Sequence, residues 1–125
     1  MTQRLIILLA NTDPDRPAEV GPPLYQAAVA AALDAEVRVI CTARATRLMR
    51  KGEAERLEIK PGSGHTVLDF IRMAKDGGVR FYVCSASLDL LDMTEADLIP
   101  ECDGLIGTTQ YMADFLSGAC RMLSY

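Results

Sequence analysis

The sequence predicts an α/β fold, a mainly parallel sheet with helices on both faces. Three observations carry this expectation. Leu5-Ile6-Ile7-Leu8-Leu9-Ala10 is an unbroken apolar run, as expected of a central strand covered on both sides. Strand-like and helix-like segments alternate along the chain in the order β-α-β-α-α-β-α-β-α-β. A third apolar run, Val79-Arg80-Phe81-Tyr82-Val83-Cys84, follows a Gly77-Gly78 helix stop and leads into small hydroxyl residues. No repeat, low-complexity tract or second domain is visible, so residues 1–125 read as one domain, long enough for a core without metal or disulfides.

After the first strand, Asn11-Thr12-Asp13-Pro14-Asp15 supplies turn residues. Pro23 suits the first position of a helix, where its missing N–H costs nothing. Leu24 to Leu33 is alanine-rich and strongly helix-favouring. Alternation in Val37, Val39 and Cys41 marks a second strand, Glu36 to Thr42. Thr42 is a candidate cap for a helix from Ala43 to Lys51 that ends at Gly52. Residues 53–60 have no clear assignment, and Pro61 to Gly64 is a loop. Ser63 or His65 leads into an amphipathic helix with Val67, Phe70, Ile71 and Ala74 on one face. After the third strand, Ser85 and Ser87 are candidate caps for a short helix through Leu91. Thr94 with Asp97 marks a further turn closed by Pro100. Asp103 to Gly107 is a short fourth strand. Thr108 or Thr109 caps a helix from Gln110 to Ser117, and Arg121 to Tyr125 is a final edge strand.

The net charge of −4 argues against nucleic acid as the main partner, because phosphate binding needs a basic surface. Met1 to Ala10 has neither the apolar length of a signal peptide nor that of a membrane span. The expectation is a cytoplasmic protein with no membrane association, its four cysteines held as thiols. Cys41, Cys84, Cys102 and Cys120 contain no Cys-x-x-Cys pair, and His65 is the single histidine, so no metal site is expected. No organic cofactor is expected either. Gly62-Ser63-Gly64 lacks the preceding strand and third glycine of a dinucleotide fingerprint. A receiver-type phosphorylation domain needs an aspartate where this chain has Cys84. His65 at a helix start reads more simply as a surface residue than as a general base.

Cys84 is the candidate reactive group. In open α/β sheets reactive groups gather at the carboxyl ends of strands, and helix N-termini there favour anions, a thiolate included. A helix starting at Ser85 or Ser87 is placed to do so. The competing reading is a small core residue, as most free cysteines are. Cys41 lies near the carboxyl end of the second strand, toward that edge, though its alternation with valines suits the core. Cys102 and Cys120 precede strands and belong at the opposite end. Arg44, Arg47, Arg50 and Lys51 form a basic stripe after the second strand. It is either a solvated helix face, an electrostatic support for Cys84, or a dock for an acidic partner.

The order of elements resembles the DsrE/DsrF-like family, which includes the TusD-type sulfur relay proteins. The likeness is strongest from Arg80 to Leu91, where a strand ends in Cys84-Ser85-Ala86-Ser87-Leu88. It continues from Gly104 to Tyr125, and the strand Leu5 to Ala10 with its polar turn also fits. The resemblance implies a three-layer α/β/α sandwich with five strands. It implies a carrier cysteine, mapped onto Cys84, that holds sulfane sulfur as a persulfide. It also implies exchange with small sulfur carriers such as TusA-like proteins, and assembly into homo- or hetero-oligomers. The Arg-rich segment and the three further cysteines depart from the pattern. Two other functions compete: a non-catalytic oligomerisation or scaffold subunit, and a thiol redox protein pairing Cys84 with Cys41.

Overall fold

The computed structural model describes residues 2–125. Five strands form one parallel sheet: β1 (Arg4–Leu9), β2 (Glu36–Cys41), β3 (Arg80–Cys84), β4 (Gly104–Ile106) and β5 (Arg121–Ser124). Their spatial order is β4-β3-β2-β1-β5. The helices are α1 (Gly21–Ala32), α2 (Val67–Asp76), α3 (Ser85–Leu90) and α4 (Thr108–Leu116). The α/β expectation and its five strands agree with this arrangement.

Strand order explains the layers. From β1 to β4 the chain steps steadily in one direction across the sheet, and right-handed crossovers then put every connection on the same face. From β4 to β5 it must return to the far edge, so α4 crosses the other face. The packing agrees. Ile7, Leu9, Val39, Phe81 and Val83 meet Leu24 and Ala27 of α1, Val67 and Ile71 of α2 and Leu88 of α3 on the first face. On the second face Ile6, Ile40, Cys84 and Ile106 meet Tyr111 of α4.

The two layers are unequal. The nine-residue α4 is roughly 13 Å long, whereas five strands span about 19 Å. Tyr111 is the one buried residue of α4, and Leu8, Tyr82, Met112 and Met122 remain partly exposed around it. An ion pair holds the helix across the middle of the sheet: Arg38 of β2 reaches Asp114 at 3.0 Å. The Arg38 side chain is only 12% exposed, so its stem fills space that an aliphatic residue would otherwise take.

Several local expectations need correction. The segment expected to be an α-helix from Ala43 to Lys51 is a 3-10 helix over Ala43–Met49. It is entered through Ala43 at φ +49°, whose N–H donates to Ser87 Oγ at 2.9 Å. It leaves into an antiparallel bridge between Arg50 and Leu98. Fixed at both ends, it adopts the tighter turn of a 3-10 helix. Thr42 occupies its N-cap position, as expected, but makes no side-chain capping bond; its hydroxyl donates to the Leu9 carbonyl at 3.0 Å instead. Thr66, rather than Ser63 or His65, caps α2, in a reciprocal box with Asp69. The backbone hydrogen bond from Thr66 holds the Asp69 carboxyl below its ordinary value. Gly107, not Thr108 or Thr109, occupies the cap of α4.

Candidate functional site

β3 and β4 are neighbours whose exits diverge. β3 leads into α3 on the first face, and β4 leads toward α4 on the second. Adjacent parallel strands with connections to opposite faces leave a crevice beyond their carboxyl ends, where open α/β folds place their ligands. Cys84 stands there. It is the last residue of β3 and pairs with Ile106 of β4. It also occupies the N-cap position of α3, with φ −65° and ψ 122°.

Alternation along β3 sends Phe81 and Val83 into the first-face core and Cys84 to the second face. There it belongs to the second-face cluster with Ile40, Ile106 and Tyr111, while Cys120, before β5, lies at the opposite end of the sheet. Cys84 Sγ is 3.3 Å from Thr108 Oγ1 of α4. The residue is 4% exposed, so its sulfur sits just under the surface of the thinner layer. The first-turn amides of α3 lie at the same strand end, and such amides have no intrahelical acceptor. Cys84 makes no side-chain bond to those amides; the polar group beside its sulfur is the Thr108 hydroxyl.

The other candidate residues are arranged differently. Ser85 is exposed and is the first residue of α3 rather than its cap. Ser87 is buried inside α3, and its hydroxyl accepts the Ala43 N–H. It thus ties α3 to the segment leaving β2. Cys41 pairs in register with Val83, one residue short of Cys84, and so faces the first-face core at 0% exposure. Burial pushes the Cys41 thiol well above its ordinary value, and the Cys102 thiol adds to this. The structure does not bring Cys41 and Cys84 together, because the pleat turns them to opposite sides of the sheet. Cys102 and Cys120 lie before the amino ends of β4 and β5. Burial also raises the Cys102 thiol.

The basic stripe is neutralised within its own neighbourhood. Arg44 meets Asp13 at 3.5 Å, Arg47 meets Asp15 at 3.1 Å and Glu53 at 3.0 Å, and Arg50 also reaches Glu53. Burial pushes the Glu53 carboxyl up, but hydrogen bonds from Arg47 and Arg50 outweigh it and hold Glu53 below its ordinary value. The hydrogen bond from Arg47 likewise lowers Asp15. These arginines tie the loops after β1 and β2 together, and Cys84 is not among their polar partners. Lys51 is exposed beside this cluster, and its N–H donates to the Asp97 carbonyl. His65 is exposed ahead of the α2 cap. Among the described residues no group of three or more His, Cys, Asp or Glu side chains is set to hold a metal ion. No helix among them is long and apolar enough to cross a membrane.

Sequence reasoning assigned Thr108 to capping and so missed its contact with Cys84. The signal lay in the third dimension: only the pairing of β4 beside β3 carries the residue after Gly107 to the sulfur.

No curated protein sequence matches the chain. Three solved structures share its fold at low identity. The YchN protein from E. coli superposes with a TM-score of 0.73 at 18% identity, covering 100% of both chains. The protein of unknown function MTH1491 from Methanobacterium thermoautotrophicum gives 0.71 at 14% identity, covering 98% of this chain and 99% of its own. The protein of unknown function BT1422 from Bacteroides thetaiotaomicron gives 0.68 at 11% identity, covering 98% and 95%. At sequence level, residues 4–118 match the DsrE/DsrF-like family. With nearly the whole chain so matched, and its parallel sheet and layering shared with those structures, the protein belongs to the DsrE/DsrF-like family.

Proposed function

We propose that the protein is a sulfur carrier of the sulfurtransferase type, which holds sulfane sulfur as a persulfide on Cys84. Family membership supports a role related to sulfur relay. The observation that carries the finer reading is the position of Cys84 in the crevice between diverging exits, beneath the thinner layer. In loading, the Cys84 thiolate attacks the outer sulfur of a donor persulfide. A Cys84–S–S bond forms, the donor's S–S bond breaks, and the donor thiolate leaves to take up a proton. In discharge, an acceptor thiolate attacks the outer sulfur and Cys84 leaves as a thiolate. Sulfur moves without net oxidation, so neither metal nor organic cofactor is required.

Partners in this reading are small carrier proteins, TusA-like as donor or acceptor, met in the cytoplasm by residues 1–125 acting as one domain. Homo- or hetero-oligomerisation belongs to the same proposal. Its support is exposed apolar surface: Tyr25, Val29, Leu33 and Leu123 border a groove of about 450 Å³ beside the edge strand β5, and Phe115 and Leu116 protrude from α4. Large exposed apolar clusters mark interaction sites.

The test is a two-step transfer. The reduced protein is incubated with a low-molecular-weight persulfide, desalted and mixed with a thiol acceptor protein. Wild type delivers sulfur to the acceptor and Cys84→Ser does not. Equal delivery by the Ser variant would refute the carrier role. The near-complete burial of Cys84 favours one competitor, a non-catalytic scaffold subunit. That reading predicts partner binding unchanged in Cys84→Ser and no delivery by either protein.

A further inference from the structure

The geometry points to Thr108 as a positioning residue for Cys84, its hydroxyl donating to the sulfur whenever Cys84 carries negative charge. The inference rests on the carrier reading for its purpose, though not for its test. Thr108 is the first residue of α4, directly after the Gly107 cap, and it makes no capping hydrogen bond. Its hydroxyl lies 3.3 Å from Cys84 Sγ. In the neutral thiol either atom can donate. Once Cys84 is ionised the sulfur has no proton, and only the Thr108 hydroxyl, which rotates freely about its C–O bond, can donate.

Chemistry makes that asymmetry useful. Cys84 bears negative charge at two moments of the cycle, as the attacking thiolate during loading and as the leaving thiolate during discharge. Among the described residues the Thr108 hydroxyl is the hydrogen-bond partner of the Cys84 sulfur, so the bond it donates acts directly on that charge. Thr108 is itself exposed, and exchange for Val or Ser at the first turn of α4 leaves the buried core intact.

The experiment uses the full-length reduced protein, wild type, Thr108→Val and Thr108→Ser. Alkylation of Cys84 by iodoacetamide is followed by peptide mass mapping from neutral to alkaline pH. A hydrogen bond to a charged group shifts ionisation appreciably, but a more basic thiolate is also more nucleophilic. The two effects partly cancel, leaving Thr108→Val about threefold slower than wild type at neutral pH. In alkali, where the thiolate is complete in both, the Val variant is no slower. Thr108→Ser follows wild type throughout. A Val profile superimposed on wild type would overturn the role. So would a rate depressed equally at every pH and not restored by Ser, since that is the mark of a packing defect. Persulfide loading in the same samples separates the two claims. Wild type that fails to load defeats the carrier reading, while the alkylation profiles still decide the role of Thr108.

Discussion

Cys41 and Cys84 end neighbouring strands, one residue apart in register, and face opposite sides of one sheet. Cys41 lies beneath the thick layer of α1, α2 and the 3-10 segment, fully enclosed. Cys84 lies beneath a single nine-residue helix that covers only part of its face. Residue type and strand position are nearly the same, so the layer above each sulfur decides what it can do. Burial that raises the Cys41 thiol suppresses the thiolate and bars a partner. The thin layer over Cys84 brings the Thr108 hydroxyl instead.

The largest expected difference is kinetic. In the folded protein Cys41 reacts with iodoacetamide only when the first-face core opens, so its rate falls about a thousandfold or more below its rate in denaturant. Cys84 is reached through local displacement of α4 and reacts well before unfolding. Equal protection of the two in site-resolved mapping would remove the distinction between the layers.

Core truncation comes next. Phe81→Ala removes the largest side chain of the enclosed core and is expected to cost about 4 kcal/mol in denaturant unfolding. Tyr111→Ala on the thin face is expected to cost about 2 kcal/mol and to speed Cys84 alkylation, because it removes the one buried anchor of α4. A Phe81→Ala variant that left Cys41 as protected as before would contradict the role given to that core.

The loop cluster at the carboxyl edge offers a smaller effect with a pH signature. Glu53→Gln leaves Arg47 and Arg50 without their shared carboxylate and is expected to destabilise by about 2 kcal/mol at neutral pH. Glu53 is held below its ordinary value in the folded state. Its contribution is therefore complete above the ordinary glutamate range and is lost as pH falls through the lower, folded value. Thermal melts of wild type and Glu53→Gln should accordingly converge in acid. A gap that persisted unchanged would show that the carboxylate charge is not what stabilises the cluster.

The smallest expected effect concerns the tie on α4. Asp114→Asn weakens the pair with Arg38, at a cost of about 1 kcal/mol. Because that pair holds the cover, Cys84 alkylation should quicken severalfold while Cys41 is unaffected. Quickening at both cysteines would mean general loosening instead.

How much of this could be read from the residues follows from the range of each interaction. The strands at Leu5, Val37 and Phe81 announced themselves through local apolar patterning. Cys84 was legible as a strand-end thiol because the residues before and after it carry that information. The unequal layers were not legible, since they depend on strand order, and strand order depends on pairings between distant segments. The Ala43–Met49 segment reads as an α-helix by propensity, but Ser87 and Leu98, far along the chain, fix its ends. Arg44 and Arg47 read as a free basic stripe, because nothing local shows that Asp13, Asp15 and Glu53 fold onto them. Thr108 was hidden for the same reason.

The central claim is that the layer above a sulfur, rather than its strand position, selects the carrier thiol. The most direct test loads the folded, reduced protein with a persulfide donor and maps the added sulfur across all four cysteines by mass. The account predicts one added sulfane sulfur on the peptide containing Cys84 and none on that containing Cys41. Sulfur on Cys41, or loading that survives in Cys84→Ser, would contradict it.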